Sequence, residues 1–225
     1  MARQSAAGPP PIIPALAYTG ATLAAVITIA TVPRPDSPAA EFFAYVVDNR
    51  DRLRLSAVAL TFAAIALAVW TAVMCRRVRR LHGDPPGANI ALAGGVIAAG
   101  AGVLTGLLGW VISRTEDSAT AAALQDLQFA TGGPGFMAPL CLLFAGIAVP
   151  LLIMGIARPL AVTGLVLTAT AALSLLTLVT MNAAVLLPIT RFGGIIWMIA
   201  ASLTLTDSVR RPPKDRTPPT AEARS

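Results

Sequence analysis

The sequence predicts an all-α polytopic membrane protein, a bundle of six transmembrane helices with a short outer amphipathic helix. Five stretches run for 20 or more residues without a charged side chain, and a sixth, shorter apolar stretch follows them. A bilayer's hydrocarbon core needs about 20 mostly apolar residues per helix. Only 12% of the 225 residues are charged and the mean hydropathy is +0.73, whereas soluble domains have about 25% charged residues. The composition therefore excludes a sizeable water-soluble domain.

The six predicted spans form one transmembrane domain over 12–206, preceded by a cytoplasmic segment over 1–11. The spans cover approximately 12–31, 55–75, 89–111, 136–157, 160–180 and 188–206. Span 1 has a second interpretation as a cleaved signal peptide, with Arg3 as its charged end. Its apolar stretch is longer than the 7–15 residues of a signal h-region, which favours a retained span. Only 15 uncharged residues separate Arg191 from Asp207, so span 6 either begins before Arg191, tilts little, or has the Arg191 side chain extend to the headgroups.

The connection between spans 1 and 2 predicts the outer amphipathic helix. Ser37 is the expected N-cap, with Pro38 in the first turn. One face of the helix then carries apolar side chains, which we expect to be buried: Phe42, Phe43, Val46 and Val47. The opposite face is acidic: Glu41, Asp48 and Asp51. A second short helix is expected over 117–129, with Leu124 and Leu127 inward. We interpret both acidic faces as solvated surface, with a cation or substrate site as the alternative.

Orientation follows from the rule that positive residues stay cytoplasmic. One set of alternate segments carries 11 basic residues: Arg3, Arg76, Arg77, Arg79, Arg80, Arg158, Arg210, Arg211, Lys214, Arg216 and Arg224. The other set carries six: Arg34, Arg50, Arg52, Arg54, Arg114 and Arg191. Both termini are therefore predicted to be cytoplasmic, with the 76–80 and 210–211 arginines setting the topology. The basic, Pro-rich tail over 207–225 is predicted to be disordered.

The basic residues indicate a membrane and not a nucleic acid, since they cluster beside the apolar spans and meet anionic lipid there. Sixteen of the 17 basic residues are arginine, and Ala and Gly are abundant, which suggests a GC-rich bacterial genome. We therefore expect the bacterial cytoplasmic membrane, the inner membrane, as the location.

Span 3 contains a ridge of small residues that recurs every four positions. Its members are Gly94, Ala98, Gly102 and Gly106. Such ridges let another helix approach closely in lipid. We expect the partner to be a helix of the same bundle, with homodimerisation as the alternative.

Spans 4 and 5 carry features of either ordinary kinks or a transport site. Pro139 and Pro150 in span 4, and Pro188 before span 6, leave backbone carbonyls without their usual donors. Span 5 carries hydroxyls that can bond to carbonyls of their own helix: Thr163, Thr168, Thr170, Ser174 and Thr177.

No catalytic, metal-binding or cofactor-binding residues are predicted. Spans 1 to 5 contain no Asp, Glu, Lys, Arg or His, although catalysis and ion coupling usually need such groups. The single histidine, His82, lies in a basic cytoplasmic loop. Arg191 is the one charge that can lie within the hydrocarbon zone, where it either contacts an anionic headgroup or carboxylate or extends outward as an interfacial anchor.

The chain resembles a family of uncharacterised six-span membrane proteins of actinobacteria, grouped as a domain of unknown function. The resemblance rests on AEFFAYVVDNRDRLRLSAVAL, MCRRVRRLHG and RFGGIIWMIAASLTL. It implies a six-helix fold and supplies no activity, cofactor or site.

The predicted function is that of a non-enzymatic accessory or scaffold subunit, which contacts the bilayer and either another membrane protein or a second copy of itself. The competing hypothesis is a carrier or binder of a lipid or neutral small molecule. A membrane-embedded enzyme ranks third, because its catalytic groups would have to come from the outer-loop carboxylates.

Overall fold

A computed structural model describes residues 10–29, 32–33, 35–82 and 86–210, without the side chains of 81–82 and 206–210. These residues form eight α-helices and no strand: α1 (Ile12–Thr28), α2 (Ala39–Asp48), α3 (Arg50–His82), α4 (Pro86–Ile112), α5 (Ser118–Gly132), α6 (Pro134–Ile153), α7 (Arg158–Leu173) and α8 (Leu186–Arg210). Two 3-10 turns, Ser174–Leu178 and Met181–Val185, join α7 to α8. The predicted all-α class is confirmed.

Five helical segments of the described chain are long and apolar enough to cross a membrane, and α1 is a shorter apolar helix of 17 residues. At 1.5 Å per residue, α1 is about 25 Å long, near the lower limit for a bilayer core of about 30 Å. The N-terminal segment before residue 10 and the tail beyond Arg210, with Arg3 and Arg211, lie outside the described residues. The predictions made for them therefore stay predictions.

Several predicted span boundaries are wrong by a few residues. Span 4 was expected to reach residue 157, but α6 ends at Ile153. The chain turns there, with Gly155 at φ +67° and Ala157 at φ +46°, a left-handed conformation that interrupts the helix. In span 5, the α-helix ends at Leu173 and a 3-10 turn follows it. Helix α8 begins at Leu186 and continues past Thr206, the predicted end of span 6.

The six apolar helices form a closed ring in which each packs on the next. The order around the ring is α1, α3, α4, α6, α7 and α8, and α8 returns to α1. Of these six neighbour contacts, the one between α8 and α1 is the least extensive, while α3–α4 and α4–α6 are the most extensive. The ring is therefore tight around α4 and loose where it closes.

Contacts between helix termini identify the two ends of the ring. At one end, which we call the cap end, Ser56 near the start of α3 donates a hydrogen bond to the Ala25 carbonyl near the end of α1, at 3.3 Å. At the other, the arginine end, Arg77 of α3 donates to the Leu205 carbonyl of α8 at 3.4 Å, and Arg79 donates to Asn89 of α4. Helices α2 and α5 lie at the cap end.

Helices α2 and α5 pack on one another and confirm the two short helices that the sequence predicts. Their shared apolar cluster consists of Phe42, Val46, Leu53, Ile112 and Ala121. Three details were wrong. Pro38, and not Ser37, is the N-cap of α2, and no side chain caps it. Val47 and Leu127 are 47% and 48% exposed, because the buried residues are Phe42 and Val46 on α2, and Ala121 and Gln125 on α5.

The small-residue ridge of α4 is buried within the chain. A Cβ atom added at Gly94 would lie 2.6 Å from the Pro139 carbonyl oxygen of α6, and one added at Gly106 would lie 2.8 Å from the Ala57 carbonyl oxygen of α3. Real Cβ atoms do not approach backbone this closely, so glycine is what allows these helices to pack. The ridge serves contacts on both sides of α4.

The prolines and hydroxyls of spans 4 and 5 mostly serve local packing. The Pro150 ring lies close to Gly87 of α4, and neither Pro139 nor Pro150 lines either of the two cavities described below. Four of the five hydroxyls bond to carbonyls of their own segment, as expected: Thr163, Thr168, Thr170 and Ser174. The buried Thr177 hydroxyl has no hydrogen-bond partner.

Candidate functional site

The candidate site is an open cleft of about 390 Å³ at the cap end of the ring, where α1, α5 and α8 come together. Its walls are mostly apolar and include Val26, Ile29, Leu60, Phe129, Met137, Leu187, Pro188 and Phe192. The polar groups among its lining are few: Thr105, Gln125, Gln128 and Arg191. A concave, largely apolar site with a few convergent polar groups is the usual form of a small-molecule pocket, for which volumes of about 300–1,000 Å³ are typical.

Arg191 is the charged group of the cleft, and its guanidinium points into the bundle. Its Nη2 donates a hydrogen bond of 2.8 Å to the Gly132 carbonyl at the end of α5. Its Cζ lies 5.4 Å from the centroid of the buried Phe136 ring, within cation–π range. The outward-extended anchor that the sequence allowed does not describe this conformation. One donor is used by Gly132, and a guanidinium has five N–H groups.

The junction of α5 and α6 explains why this carbonyl is free to receive Arg191. Residue 134 is proline and donates no hydrogen bond, and the backbone N–H groups of Phe136 and Met137 bond to Gly133 instead of Gly132. Close packing also requires glycine here, because a Cβ at Gly132 would lie 2.5 Å from Thr105 Cγ2 of α4. The last carbonyl of α5 is therefore an orphan acceptor on the floor of the cleft.

No carboxylate among the described residues forms an ion pair with Arg191. A buried or half-buried charge without a counter-charge costs several kcal/mol in a low-dielectric setting. The Gly132 carbonyl dipole and the Phe136 ring offset part of that cost without neutralising the charge. An anion in the cleft would complete the site.

Two glutamines of α5 build the polar part of the cleft wall. Gln125 Nε2 donates to the Pro33 carbonyl at 3.1 Å, which attaches α5 to the segment that precedes α2. Gln128 Nε2 donates to the Thr105 carbonyl at 3.1 Å, which attaches α5 to α4. These bonds hold α5 across the cap end and orient both side chains toward the cleft.

A second, smaller cavity of about 20 Å³, enough for roughly one water molecule, lies beside Arg191. Its polar lining comprises Tyr18, Thr22, Thr105 and Arg191. Arg191 lines both this small cavity and the large cleft.

Pro188, which the sequence analysis singled out, lines the large cleft, whereas most of the other residues singled out are not brought to this site. Of the ridge, only Gly102 reaches it, as lining of the small cavity. The four arginines over 76–80 lie at the arginine end, and α8 terminates there with Arg210. Sequence reasoning missed Tyr18, Gln125 and Gln128 as lining residues. The spacing of Gln125 and Gln128, three positions apart on a short helix, was the available signal.

No group of three or more His, Cys, Asp and Glu side chains in the described ranges could hold a metal ion. Comparison of the chain with protein-family models, curated proteins and solved structures gives no match. The resemblance to the actinobacterial six-span family therefore stays a prediction.

Proposed function

We propose that this chain is a six-span protein of a bacterial cytoplasmic membrane that binds an anionic group in the Arg191 cleft. The observation that carries the proposal is the position of Arg191, a charge that faces an apolar cleft of about 390 Å³ without a carboxylate partner among the described residues. Charges inside membrane bundles are rare and usually mark a ligand or ion pathway.

The six-span topology is supported by the ring itself. Five segments have spanning length, and α1 occupies the sixth position of the ring beside α3 and α8. A retained α1 forms one wall of the cleft, which disfavours its removal as a signal peptide. With the arginine end cytoplasmic, by the positive-inside rule, the cleft and its α2–α5 cap face the outer side of the membrane.

The proposed activity is non-enzymatic binding or carriage. The lining offers a donor for a carboxylate or phosphate, apolar walls and two amides, and this set of groups recognises a ligand without chemistry upon it. The ligand class is an anion that is compatible with apolar surroundings.

The accessory or scaffold subunit remains a second candidate, favoured by one observation. In an apolar 18-residue stretch of the spans of α7 and α8, only 33% and 28% of the residues are buried, so broad apolar faces are left for lipid or another membrane protein. The ridge of α4 and the apolar face of α2, however, are occupied within the chain, so they no longer favour an external partner.

The test is to purify the protein from its native membrane in mild detergent and to identify bound molecules by native mass spectrometry. We expect the wild-type protein to retain an anion that Arg191→Leu loses. Arg114→Leu is the matched control, since Arg114 also stacks on an aromatic ring, Trp110 at 4.8 Å, but is exposed outside the cleft.

Arg191→Leu also leaves the Gly132 carbonyl unpaired, at a cost of about 1–3 kcal/mol, so thermal unfolding must be followed in parallel. Arg191→Lys keeps the charge but not the fork of donors, and we expect it to fold and to retain the anion weakly. Retention unchanged in a folded Arg191→Leu protein would refute the proposal. A stoichiometric protein partner with no retained anion would favour the accessory subunit.

A further inference from the structure

We infer that the ligand of the Arg191 cleft is a phospholipid of the surrounding leaflet, which reaches Arg191 sideways between α1 and α8 and leaves most of its acyl chains outside. This inference rests on the proposed function and adds the source of the anion and its route.

The cap side of the cleft is covered by protein. Helix α5 contributes Gln125, Gln128 and Phe129 to the lining, and the segment before α2 contributes Pro33 and Pro35. This cover is fastened by the apolar cluster that α2 and α5 share and by two long-range hydrogen bonds, from Gln125 to the Pro33 carbonyl and from Arg50 to the Thr115 carbonyl at 3.3 Å. A water-soluble anion would have to displace a packed layer.

The side between α1 and α8 is the loosest contact of the ring and is apolar. Val26 on α1 and Leu187 and Phe192 on α8 line the cleft there, and Phe192 is 39% exposed. The outer faces of the same two helices carry exposed apolar side chains, such as Ile27 and Ile196. Arg191 is the only charge in α1 or in 186–206, so no second charged side chain of these segments lies between the cleft and the acyl chains.

The volume of the cleft decides how much of a lipid it holds. At about 390 Å³ it lies near the lower limit of ligand pockets, which matches a headgroup with the start of one chain and not a whole two-chain lipid. The remaining chain then rests on the exposed faces of α1 and α8. A lipid bound in this way keeps its tails in hydrocarbon and places only its anionic group at Arg191, so little apolar surface is transferred to water.

The test uses the full chain in nanodiscs of phosphatidylcholine that contain phosphatidylglycerol with a photoreactive diazirine on one acyl chain. We expect labelling of the Val26 and Phe192 peptides to exceed, several-fold, that of Ile97 on α4 and Val166 on α7. These two residues are 54% and 59% exposed and report ordinary contact with bulk lipid. Unlabelled phosphatidylglycerol should compete, and soluble glycerol 3-phosphate should not.

A pair of variants keeps the test valid where Arg191 substitutions unfold the protein. Leu187→Trp narrows the rim and should reduce the excess labelling, whereas Ile196→Trp, on the exposed face of α8 beyond the cleft, should leave it unchanged. Equal labelling at all four positions would overturn the lateral route.

The outcomes separate this inference from the proposed function. An anion lost from Arg191→Leu together with uniform labelling, or with displacement by glycerol 3-phosphate, would preserve an anion site and refute a membrane phospholipid as its ligand. Excess labelling that persists in folded Arg191→Leu would refute the role of the charge and leave an apolar lipid groove. Neither retention nor excess labelling would refute both.

Discussion

The ring of helices has a dry side, where α4 meets α3 and α6, and an open side, where α8 meets α1. On the dry side backbone packs on backbone, and a Cβ at Gly146 would lie 2.4 Å from the Gly87 carbonyl oxygen. Close packing of helices needs small residues, but the open side has three larger ones: Arg191, Phe192 and Pro188. Within an apolar 18-residue stretch of each span, 56% of the residues are buried in the span that contains α6 and 28% in the span of α8.

This difference indicates that one side of a membrane bundle can provide stability while the other side provides a binding site. Lipid chains are as apolar as leucine, so helices in a bilayer associate through close van der Waals contact, which small residues provide. A side chain as large as arginine holds neighbouring helices apart and leaves space beside itself. We therefore expect variants on the dry side to change unfolding and variants on the open side to change ligand retention.

The largest effect is expected where the dry side is tightest. Gly94→Ala places a methyl group 2.6 Å from the Leu142 Cβ and the Pro139 carbonyl oxygen, so α4 and α6 must move apart. Overpacking of this kind costs about 1–3 kcal/mol or more. Thermal unfolding in detergent measures the loss.

The matched control is Gly100→Ala on the same helix, where no atom lies within 4 Å of the added methyl group. It should unfold at the same temperature or higher, because alanine favours helix over glycine by about 1 kcal/mol. Equal destabilisation by both substitutions would break the comparison, because the close contacts at Gly94 would then not explain the loss of stability.

A slightly smaller effect is expected where α8 is attached to the dry side. The buried Trp70 Nε1 donates to the Ser202 hydroxyl at 2.9 Å, so Ser202→Ala leaves an indole N–H without this acceptor and costs about 1–2 kcal/mol. The buried Ser174 bonds to the Ala171 carbonyl of its own segment, and Ser174→Ala should cost less. Urea or thermal unfolding of both variants tests the difference, and a larger loss for Ser174→Ala would contradict it.

On the open side, a carboxylate placed in the cleft should replace the ligand. Gln128→Glu adds a negative group to the lining that Arg191 shares, and we expect anion retention to fall about tenfold, equivalent to about 1.4 kcal/mol. Gln128→Met removes the bond to the Thr105 carbonyl without adding charge and should retain the anion. Native mass spectrometry measures retention, and unchanged binding by Gln128→Glu would argue against a free charge at Arg191.

The smallest effect is expected at the edge of the cap. Asp117 is the N-cap of α5 and accepts a hydrogen bond of 2.9 Å from the Thr120 backbone N–H. Asp117→Ala should increase amide exchange at the first turn of α5 without unfolding the ring, because this exposed cap is local. Glu116→Ala, at the adjacent exposed acid, should leave exchange unchanged.

The same cap gives a pH dependence with a defined sign. Hydrogen bonds from Thr120, first from its side chain and then from its backbone, hold the pKa of Asp117 below its usual value. A lowered pKa means that the cap is fully stabilising above the ordinary Asp pKa of about 3.9 and is lost as the pH falls through the lowered value. Exchange in α5 that increases as the pH is raised from 5 to 7, beyond the intrinsic rate, would contradict this assignment.

Much of the fold could be predicted from local sequence, because hydrophobic length and proline or glycine punctuation act over short distances. The two short helices at the cap end, with Asp117 at the start of the second, follow from such signals. The end of α6 could not be predicted, since an apolar run continues through Met154–Ala157 and only the backbone turn at Gly155 and Ala157 interrupts it. Hydropathy does not distinguish a helix from an apolar turn.

The sequence by itself determined the class of protein, the glycine ridge and the presence of one arginine near an apolar span, because each depends on composition or on spacing within one helix. Only the tertiary structure decided that the ridge is occupied within the chain, that α1 and α8 close the ring loosely, and that Arg191 meets the Gly132 carbonyl across 59 residues of sequence. The physical reason is that the packing of distant segments decides whether a charge has partners. A local sequence pattern does not predict which helices pack loosely against one another.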